Sequence, residues 1–389
     1  MKQKNGLFKI SLLSISLLLM AGPAIAATIP LMAETFKNQS ASSVELLSTI
    51  PNFGIILFVL VSNYLVKLIG DKKTVLLGLS IALIFGLVPV FSESYGLILF
   101  SRFMLGAGIG LINPLAYSLI THYFVGEERA TMLGYQNAVG SIGSAALTFI
   151  VGLLVQGGWH MTYLIYLVAV PALLLFGFFV PETKYTEAEK PVAKEVTAVK
   201  NNKIHPKVFG YSLLSLLIFA SFMTLIIKLS TFASESGVAT VGEASIILSL
   251  STVAGIVSSP LFGKIFMRLK FYTLSVGLFI IGISFVVIAL STNLWLLGLG
   301  ALIGGLAFAL VTPYLFMQAS QYAAPGQDNI VSSVLLVGIN IGTFIAPYFA
   351  GMIGMLFSNN QAYFAILMSG IILLTTGIIH FLVASFNKK

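Results

Sequence analysis

Residues 95–120 read YGLILFSRFMLGAGIGLINPLAYSLI, and Arg102 is the only charged side chain among them. A run of about 20 apolar residues is long enough to cross the hydrocarbon core of a bilayer as one helix. Residues 294–318 form a second run of this kind, in which Gly305 and Pro313 correspond to Gly106 and Pro114 of the first. The two runs therefore predict a pair of related transmembrane helices.

The same offset of about 199 residues relates other parts of the chain. The tetrapeptide LINP at 111–114 falls on LVTP at 310–313, and Gly143 and Gly152 fall on Gly342 and Gly351. Repeats of like orientation are typical of transporters built as two bundles with the substrate path between them. We predict an N-terminal six-helix bundle over residues 1–181, a cytoplasmic linker over 182–207 and a C-terminal six-helix bundle over 208–389.

The composition of the whole chain excludes a soluble protein. Of its 389 residues, 58% are hydrophobic and 9% are charged, and the mean hydropathy is +1.00, whereas about a quarter of a soluble domain is charged. A β-barrel would need alternating segments of about ten residues, which do not occur. We therefore expect an all-α membrane protein with twelve transmembrane helices, at 7–31, 43–66, 74–92, 95–120, 132–156, 161–180, 208–232, 243–265, 271–291, 294–318, 329–357 and 361–385.

The basic residues predict the orientation of these helices. Eighteen of the 21 Lys and Arg residues fall at the termini and in alternate connections, which assigns these parts to the cytoplasm. The basic residues behind the formal charge of +8 thus set the topology and contact the membrane lipids of the inner leaflet. We therefore expect no binding of nucleic acid. The N-terminal run resembles a signal peptide up to Ala27, but its removal would put the termini on opposite sides. We expect it to be retained, in a multi-pass protein of the cytoplasmic membrane with both termini cytoplasmic.

Several short motifs resemble one family of transporters. RFMLGAG at 102–108 is similar to the Arg-x-x-x-Gly-x-Gly signature of span 4 in the major facilitator superfamily, and GEERA at 126–130 resembles that family's loop between spans 4 and 5. GWH at 158–160 is similar to its Gly-Trp-Arg element. The best local matches are to the twelve-span drug:proton antiporter branch. The resemblance covers essentially the whole chain and implies two pseudo-symmetric bundles that transport by alternating access.

Two departures from the family pattern concern conformational change. Gly70, Lys72 and Lys73 fit the family's loop after span 2, but Lys67 stands where the family has an acid that contacts span 11. We predict that Lys67 instead pairs with Asp328 on the cytoplasmic side when the cavity opens outwards. The Gly-Pro motif of antiporters is also missing from span 5, and its closest version is GTFIAPYFAG at 342–351 in span 11, with Gly342 and Pro347.

Charged side chains near or inside spans are the candidates for substrate binding and proton coupling. Arg102 is several residues inside span 4, where a guanidinium is costly unless it faces protein or water. It could hold an anionic group or tune a proton site, or it could reach the outer surface. Lys228 near the end of span 7 could likewise act in substrate binding or proton coupling, or its side chain could extend to the outer surface. Glu34 and Glu45 are the candidates for a carboxylate near Arg102, with solvated loop positions as the alternative.

Polar residues and prolines inside the spans are further candidates. Matched prolines bend their helices at matched places, so Pro114 and Pro313 are candidates for gating together with Gly342 and Pro347 of span 11, with ordinary packing kinks as the alternative. The polar and aromatic side chains could line the cavity, or could form bonds between helices. These cavity candidates are Asn113, Tyr117, Gln136, Asn137, Tyr314, Gln318, Asn340 and Tyr348.

These features predict a secondary transporter that is not an enzyme. The spans hold no paired carboxylates, His cluster or nucleophile with a base, and the chain has no Cys. We therefore expect no catalytic residue, no metal and no cofactor, with the proton gradient as the energy source. The expected activity is proton-coupled efflux of small amphipathic compounds, anionic or neutral, by a monomer. Proton-coupled uptake of a small organic anion, or a non-transporting sensor on the same fold, is the alternative.

Overall fold

Helices form nearly all of the chain that can be described. The computed structural model describes residues 6–19, 22–182, 204–323 and 328–386, and no strand occurs within these ranges. An apolar phase leaves a backbone no water to bond, so each segment must satisfy its own N–H and C=O groups. Helices are therefore what this composition dictates.

The α-helices are numbered here in chain order. They are α1 Gly6–Leu19, α2 Ile29–Thr35, α3 Ala41–Ile69, α4 Asp71–Phe91, α5 Tyr95–Tyr123, α6 Gly126–Leu154, α7 Trp159–Thr162, α8 Ala169–Phe179, α9 Pro206–Ser236, α10 Val241–Ser258, α11 Phe262–Leu269, α12 Thr273–Ala289, α13 Leu294–Ser320, α14 Asp328–Phe357 and α15 Ala362–Phe386. Short 3₁₀ segments join some of them, at Gly22–Thr28, Val155–Gly157, Tyr163–Val168, Ser259–Leu261 and Lys270–Tyr272.

Eleven of the described helical stretches are long and apolar enough to cross a membrane. One of them, Val241–Ala289, has 49 residues, about twice the length that one crossing requires, and it contains α10, α11 and α12. The predicted all-α membrane fold is confirmed. The predicted count of twelve spans stays a prediction.

The helices pack in two bundles that repeat the same set of contacts. In the first, α3 packs on α5, α4 on α5 and α8, and α1 on α6 and α8. In the second, α10 packs on α13, α12 on α13 and α15, and α9 on α14 and α15. Each contact in one bundle thus has a counterpart in the other. The domain boundaries stay predictions, because residues 183–203 of the predicted linker lie outside the described ranges.

Matched glycines allow the closest helix contacts in each bundle. A Cβ atom at Gly106 of α5 would collide with the carbonyl oxygen of Pro51 in α3. A Cβ atom at Gly305 of α13 would collide with the carbonyl oxygen of Ser251 in α10. Small residues permit this close approach of the backbones. The resulting van der Waals contact holds the helices together, because the hydrophobic effect does not drive helix association inside lipid. The glycines matched in the sequence therefore have the same packing role.

Two ends of the molecule can be distinguished from the way the bundles meet. We call the end where α3 ends at Ile69 and α14 begins at Asp328 the basic end. We call the end where α3 begins and α14 ends the opposite end. The bundles join through α3 against α14 and through α6 against α10. The 3₁₀ segment Gly22–Thr28 also contacts α9. The functional site lies along these contacts.

We expect Gly106→Ala and Gly305→Ala each to destabilise the protein by about 1–3 kcal/mol, because the added methyl overpacks a backbone contact. Gly96→Ala and Gly298→Ala in the same two helices are the matched controls, since a Cβ atom at either position meets nothing within 4 Å. Unfolding of the purified variants in a denaturing detergent titration measures the difference. Equal stability of all four variants would contradict this packing role.

Candidate functional site

The first contact between the bundles closes the opposite end between α3 and α14. The Ser42 hydroxyl donates to the Pro347 carbonyl (3.3 Å) and the Thr49 hydroxyl donates to the Phe344 carbonyl (3.2 Å). The rings of Phe53 and Phe344 stack with centroids 5.2 Å apart. Pro347, predicted as a gating residue, therefore lies at this closure.

The second contact closes the same end between α6 and α10. The Ser245 hydroxyl donates to the Thr148 carbonyl and the Ser249 hydroxyl to the Ala145 carbonyl, both at 2.7 Å. These hydrogen bonds between the bundles, together with that of Lys228 to Glu45, lie in the half of the helices nearer this end. The bundles are thus held together at the opposite end.

An ion pair joins the bundles at this closure. Lys228 Nζ of α9 lies 2.5 Å from Glu45 Oε1 of α3. Glu45 is 2% exposed and Lys228 is 8% exposed. The sequence analysis left open that the Lys228 side chain extends to the membrane surface and that Glu45 is solvated. Both alternatives are wrong, because each side chain is buried against the other. Glu34, the other coupling candidate, is exposed at the end of α2.

A cavity of about 510 Å³ lies on the basic-end side of the α6–α10 contact. It is within the size range of small-molecule sites. Phe222 and Phe308 stand in its wall as a stacked pair, with centroids 3.7 Å apart. Its lining is formed by Ser141, Ser144, Thr148, Phe222, Leu225, Ile226, Leu248, Ser251, Thr252, Gly255, Ile256, Ser259, Ala301, Gly305, Phe308, Ala309, Thr312 and Pro313.

The predicted cavity residues lie elsewhere. Gln136 and Gln318 are buried, and Tyr314 is buried with its hydroxyl donating to the Phe271 carbonyl at 3.2 Å. Asn137 and Asn340 each donate to a carbonyl one helical turn earlier. The remaining three are partly buried or exposed, and they are Asn113, Tyr117 and Tyr348. Of the residues predicted for gating, Pro313 does line this cavity.

Arg102 is held inside the first bundle and does not line this cavity. It is 0% exposed, so the alternative that it reaches the outer surface is wrong. Its Nε donates to the Leu47 carbonyl (3.0 Å), one Nη to the Tyr166 hydroxyl (2.6 Å) and the other to the Gly22 carbonyl (3.4 Å). The ring of Tyr163 lies 5.6 Å from the guanidinium carbon. The described bonds therefore go to neutral acceptors, and the expected carboxylate beside Arg102 is not found among the described residues.

The break in the first span explains one of these bonds. The sequence predicts one helix over 7–31, but the chain adopts a 3₁₀ turn at Gly22–Thr28. Carbonyls near a helix break are available to side chains, and the carbonyl of Gly22 accepts from Arg102. The first span is thus interrupted where it meets the buried cation.

The loop between α3 and α4 contains a buried acid that the sequence analysis did not single out. Gly70 separates the helices with φ of +85°, which a side chain would strain. Asp71 follows as a buried residue at the positive end of α4. Burial, and secondly the charge of Asp71, raises the pKa of the Tyr123 hydroxyl to about 12, so this group stays protonated and donates to the Pro181 carbonyl at 3.3 Å.

The basic residues of this loop point to the surface. Lys67 is exposed and Lys73 forms a 3.5 Å ion pair with Glu182. Lys72 is partly buried. The side chain of Asp328 lies outside the described part of the structure, so the Lys67–Asp328 pair stays a prediction.

Comparison with known proteins identifies the family. The model of the Major Facilitator Superfamily matches residues 11–327. The chain belongs to this superfamily. The expectation of a multi-pass membrane protein of this superfamily is confirmed, while transport and the resemblance to the drug:proton antiporter branch stay predictions.

Relatives within the superfamily match only part of the chain. An uncharacterized MFS-type transporter of Mycobacterium tuberculosis is 30% identical over 124 residues, which are 31% of this chain and 21% of that protein. A TsgA homolog of Serratia proteamaculans is 29% identical over 173 residues, which are 42% of this chain and 43% of that protein. The chain therefore spans less than half the length of these relatives in each match.

Solved superfamily structures share the fold over the whole chain. A peptide transporter crystallised with sulfate superposes with a TM-score of 0.78 at 14% identity, covering 98% of this chain and 94% of that one. The nucleoside transporter NupG superposes with a TM-score of 0.76 at 14% identity, covering 97% and 100%. At this identity the likeness defines the fold alone.

Sequence reasoning missed most of the cavity wall because its polar residues are small. It searched for charges, amides and tyrosines, whereas the cavity is lined by Ser251 and Thr252 on α10 and by Ser259 just after it. Ser251, Gly255 and Ser259 recur every four residues, so these small residues share one helical face. That spacing is the signal that could have identified α10 as a lining helix.

We expect Tyr166→Phe to destabilise the protein by about 1.5–3 kcal/mol, since it leaves a buried charged donor of Arg102 without its acceptor. Tyr163→Phe is the matched control, because that ring also faces the guanidinium while its hydroxyl meets only the Met32 sulfur at 3.7 Å. Denaturant unfolding of the purified variants compares them. A larger loss for Tyr163→Phe than for Tyr166→Phe would refute the assignment.

Proposed function

We propose that the chain is a secondary transporter of small amphipathic compounds that works by alternating access and exports them across the cytoplasmic membrane against proton entry. It acts as a monomer with no cofactor or metal, and the proton gradient supplies the energy. The basic end is cytoplasmic and the opposite end faces outwards, which agrees with the excess of Lys and Arg at the basic end. The observation that carries the proposal is the buried Glu45–Lys228 pair between the bundles.

Closure at one end supports alternating access. The described bonds between the bundles lie nearer the opposite end, and the cavity lies on the basic-end side of them. Rocking of the bundles about this cavity would part these contacts and expose the cavity to the other side. Apart from the Glu45–Lys228 pair, these contacts are made by Ser and Thr hydroxyls and main-chain carbonyls, which carry no charge and can separate.

The Glu45–Lys228 pair supplies the group that can respond to protons. When the opposite end opens, the two side chains separate and Glu45 meets protons from outside. When that end closes again, a protonated Glu45 would leave the buried Lys228 charge without a partner. Re-forming the pair therefore requires Glu45 to release its proton, which passes to the cytoplasmic side in the proposed exchange.

Arg102 supports the alternative of anion uptake less than the sequence suggested. Its guanidinium is occupied by three acceptors inside the first bundle and is absent from the cavity wall. A substrate carboxylate would have to displace these bonds. Export of an amphipathic compound needs no such rearrangement, and it is the function that we propose.

A disulfide across the α6–α10 contact is expected to stop transport. The chain has no Cys, so Ala145→Cys with Ser249→Cys can be oxidised without background, and the bond would hold the opposite end closed. Flux is measured in inverted vesicles with an acid interior, using neutral and anionic amphiphiles. We expect accumulation by the parent chain, loss of accumulation after oxidation and recovery after reduction.

The matched control joins two residues of one bundle. The Ser62 hydroxyl donates to the Leu111 carbonyl at 2.8 Å, as Ser249 does to Ala145 across the bundles. Oxidised Ser62→Cys with Leu111→Cys should leave flux intact. Undiminished flux with the α6–α10 disulfide in place would rule out alternating access, and accumulation only with an acid exterior would reverse the proposed direction.

We expect Glu45→Gln to make the opening of the opposite end independent of pH, because the amide cannot release a proton or pair with Lys228 as an anion. Spin labels at Glu93→Cys and Thr292→Cys, in corresponding loops of the two bundles, report the distance across this end by pulsed electron resonance. Between pH 7.5 and pH 5 the parent chain should shift to longer distances. Glu45→Gln should show the long distances at both values.

Glu34→Gln is the control, since Glu34 is exposed near the same end. This variant should keep the pH response of the parent chain. A normal pH response in Glu45→Gln would remove Glu45 from the coupling mechanism while leaving alternating access itself untouched.

A further inference from the structure

We propose that the 510 Å³ cavity binds an uncharged, ring-containing molecule that donates a hydrogen bond, such as an aromatic alcohol or phenol. The inference rests on the proposed transport function only in treating the cavity as the substrate site. It narrows the expected anionic or neutral amphiphile to the neutral class and adds a requirement for a donor.

The charge of the ligand follows from the cavity wall. None of the lining residues is charged. Glu45 pairs with Lys228, and Arg102 bonds to carbonyls and a tyrosine hydroxyl, so these buried charges have partners away from the cavity wall. An ion that gives up hydration in a site with no opposite charge is not compensated. The wall therefore favours a neutral ligand over a cation or an anion.

The requirement for a donor follows from the hydroxyl groups in the wall. Ser251 donates to the Ala301 carbonyl (2.8 Å), Thr252 to the Leu248 carbonyl (3.0 Å) and Ser259 to the Gly255 carbonyl (2.8 Å). A hydroxyl that has donated its hydrogen keeps lone pairs that accept. These three residues, two on α10 and Ser259 just after it, thus present acceptors to the cavity.

Thr148 and Pro313 add acceptors on the facing helices. The Thr148 hydroxyl donates to the Ser144 carbonyl at 2.8 Å and can accept from a ligand. Pro313 has no N–H group, so the carbonyl of Ala309 one turn earlier loses its helical donor. Thr148, Ala309 and Pro313 all line the cavity. Acceptors therefore occur on α6, α10 and α13, and a ligand that supplies a donor satisfies them.

The ring requirement follows from the aromatic pair. Phe222 and Phe308 stack with their planes 16° apart, one on α9 and the other on α13. Together with Leu225, Ile226 and Leu248 they form the apolar part of the wall. Aromatic rings prefer such offset or edge contacts with further rings. A planar ligand can rest against this pair while its hydroxyl reaches α10.

Four naphthalene probes that differ in one substituent test the proposal. They are 1-naphthalenemethanol, its methyl ether, 1-naphthalenemethylammonium and 1-naphthoate, added to the full chain in lipid nanodiscs at pH 7. Binding is measured as the concentration that gives a half-maximal increase in melting temperature. We expect the alcohol to bind about five-fold more tightly than the ether, the equivalent of one neutral hydrogen bond, and both ions to bind more weakly than the alcohol.

Two variants assign the binding to this cavity. Phe308→Ala should weaken the binding of the alcohol and of the ether alike by about ten-fold, which is the scale of a lost buried aromatic contact. Thr252→Val keeps the shape and removes an acceptor, so it should reduce the preference for alcohol over ether while ether binding is unchanged. Phe100→Ala is the control, because Phe100 is 52% exposed and pairs with Phe85 in the first bundle. Unchanged ether binding by Thr252→Val also shows that this variant is folded.

The outcomes separate the ligand class from the transport function. Tightest binding of the ammonium or the carboxylate, equal binding of alcohol and ether, binding of none of the probes, or equal effects of Phe308→Ala and Phe100→Ala would each overturn the inference. Selective alcohol binding without flux in vesicles would overturn the proposed function and leave the inference in place. Flux of ions without selective alcohol binding would do the reverse.

Discussion

Inside an apolar phase every polar group needs a partner from the protein itself, and this constraint organises the whole molecule. Many serine and threonine hydroxyls inside the helices donate to carbonyls, several of them on a neighbouring helix, as Ser62 does to Leu111 and Ser284 to Gly300. The buried guanidinium of Arg102 takes three acceptors, one of them from the broken first span. The buried Glu45 carboxylate takes Lys228. Fold and function both follow from where these partners are found.

Partners inside one bundle and partners between bundles have different consequences. The bonds of Arg102 stay within the first bundle, so they stabilise it in every conformation that keeps the bundle intact. The pair of Glu45 with Lys228 and the hydroxyl bonds of Ser245 and Ser249 cross between bundles. In the proposed rocking motion these bonds must part. The same chemistry is therefore permanent in one place and reversible in the other.

The distribution of charge also links the closure to the cavity. The described buried cations are used for packing and for closing the opposite end, which leaves a cavity wall of hydroxyls, small residues and stacked phenylalanines. A transporter arranged in this way can respond to protons at Glu45 without placing a charge beside its substrate. In the proposed mechanism, proton response and substrate recognition are thereby separated along the membrane normal, and rocking of the bundles would connect them.

The sequence by itself determined the helical membrane fold, the two related halves and the matched positions of Gly106 and Gly305, because these depend on local hydropathy and on residue type at a fixed repeat. It also identified Arg102, Glu45 and Lys228 as unusual, since charge inside a span is costly wherever it points. Only the tertiary structure decided which of them pair. Glu45 and Lys228 are 183 residues apart in the chain, and no spacing rule relates them. The cavity wall likewise became visible only in the fold, because serine and threonine serve as packing or as ligand contacts according to the helix that faces them.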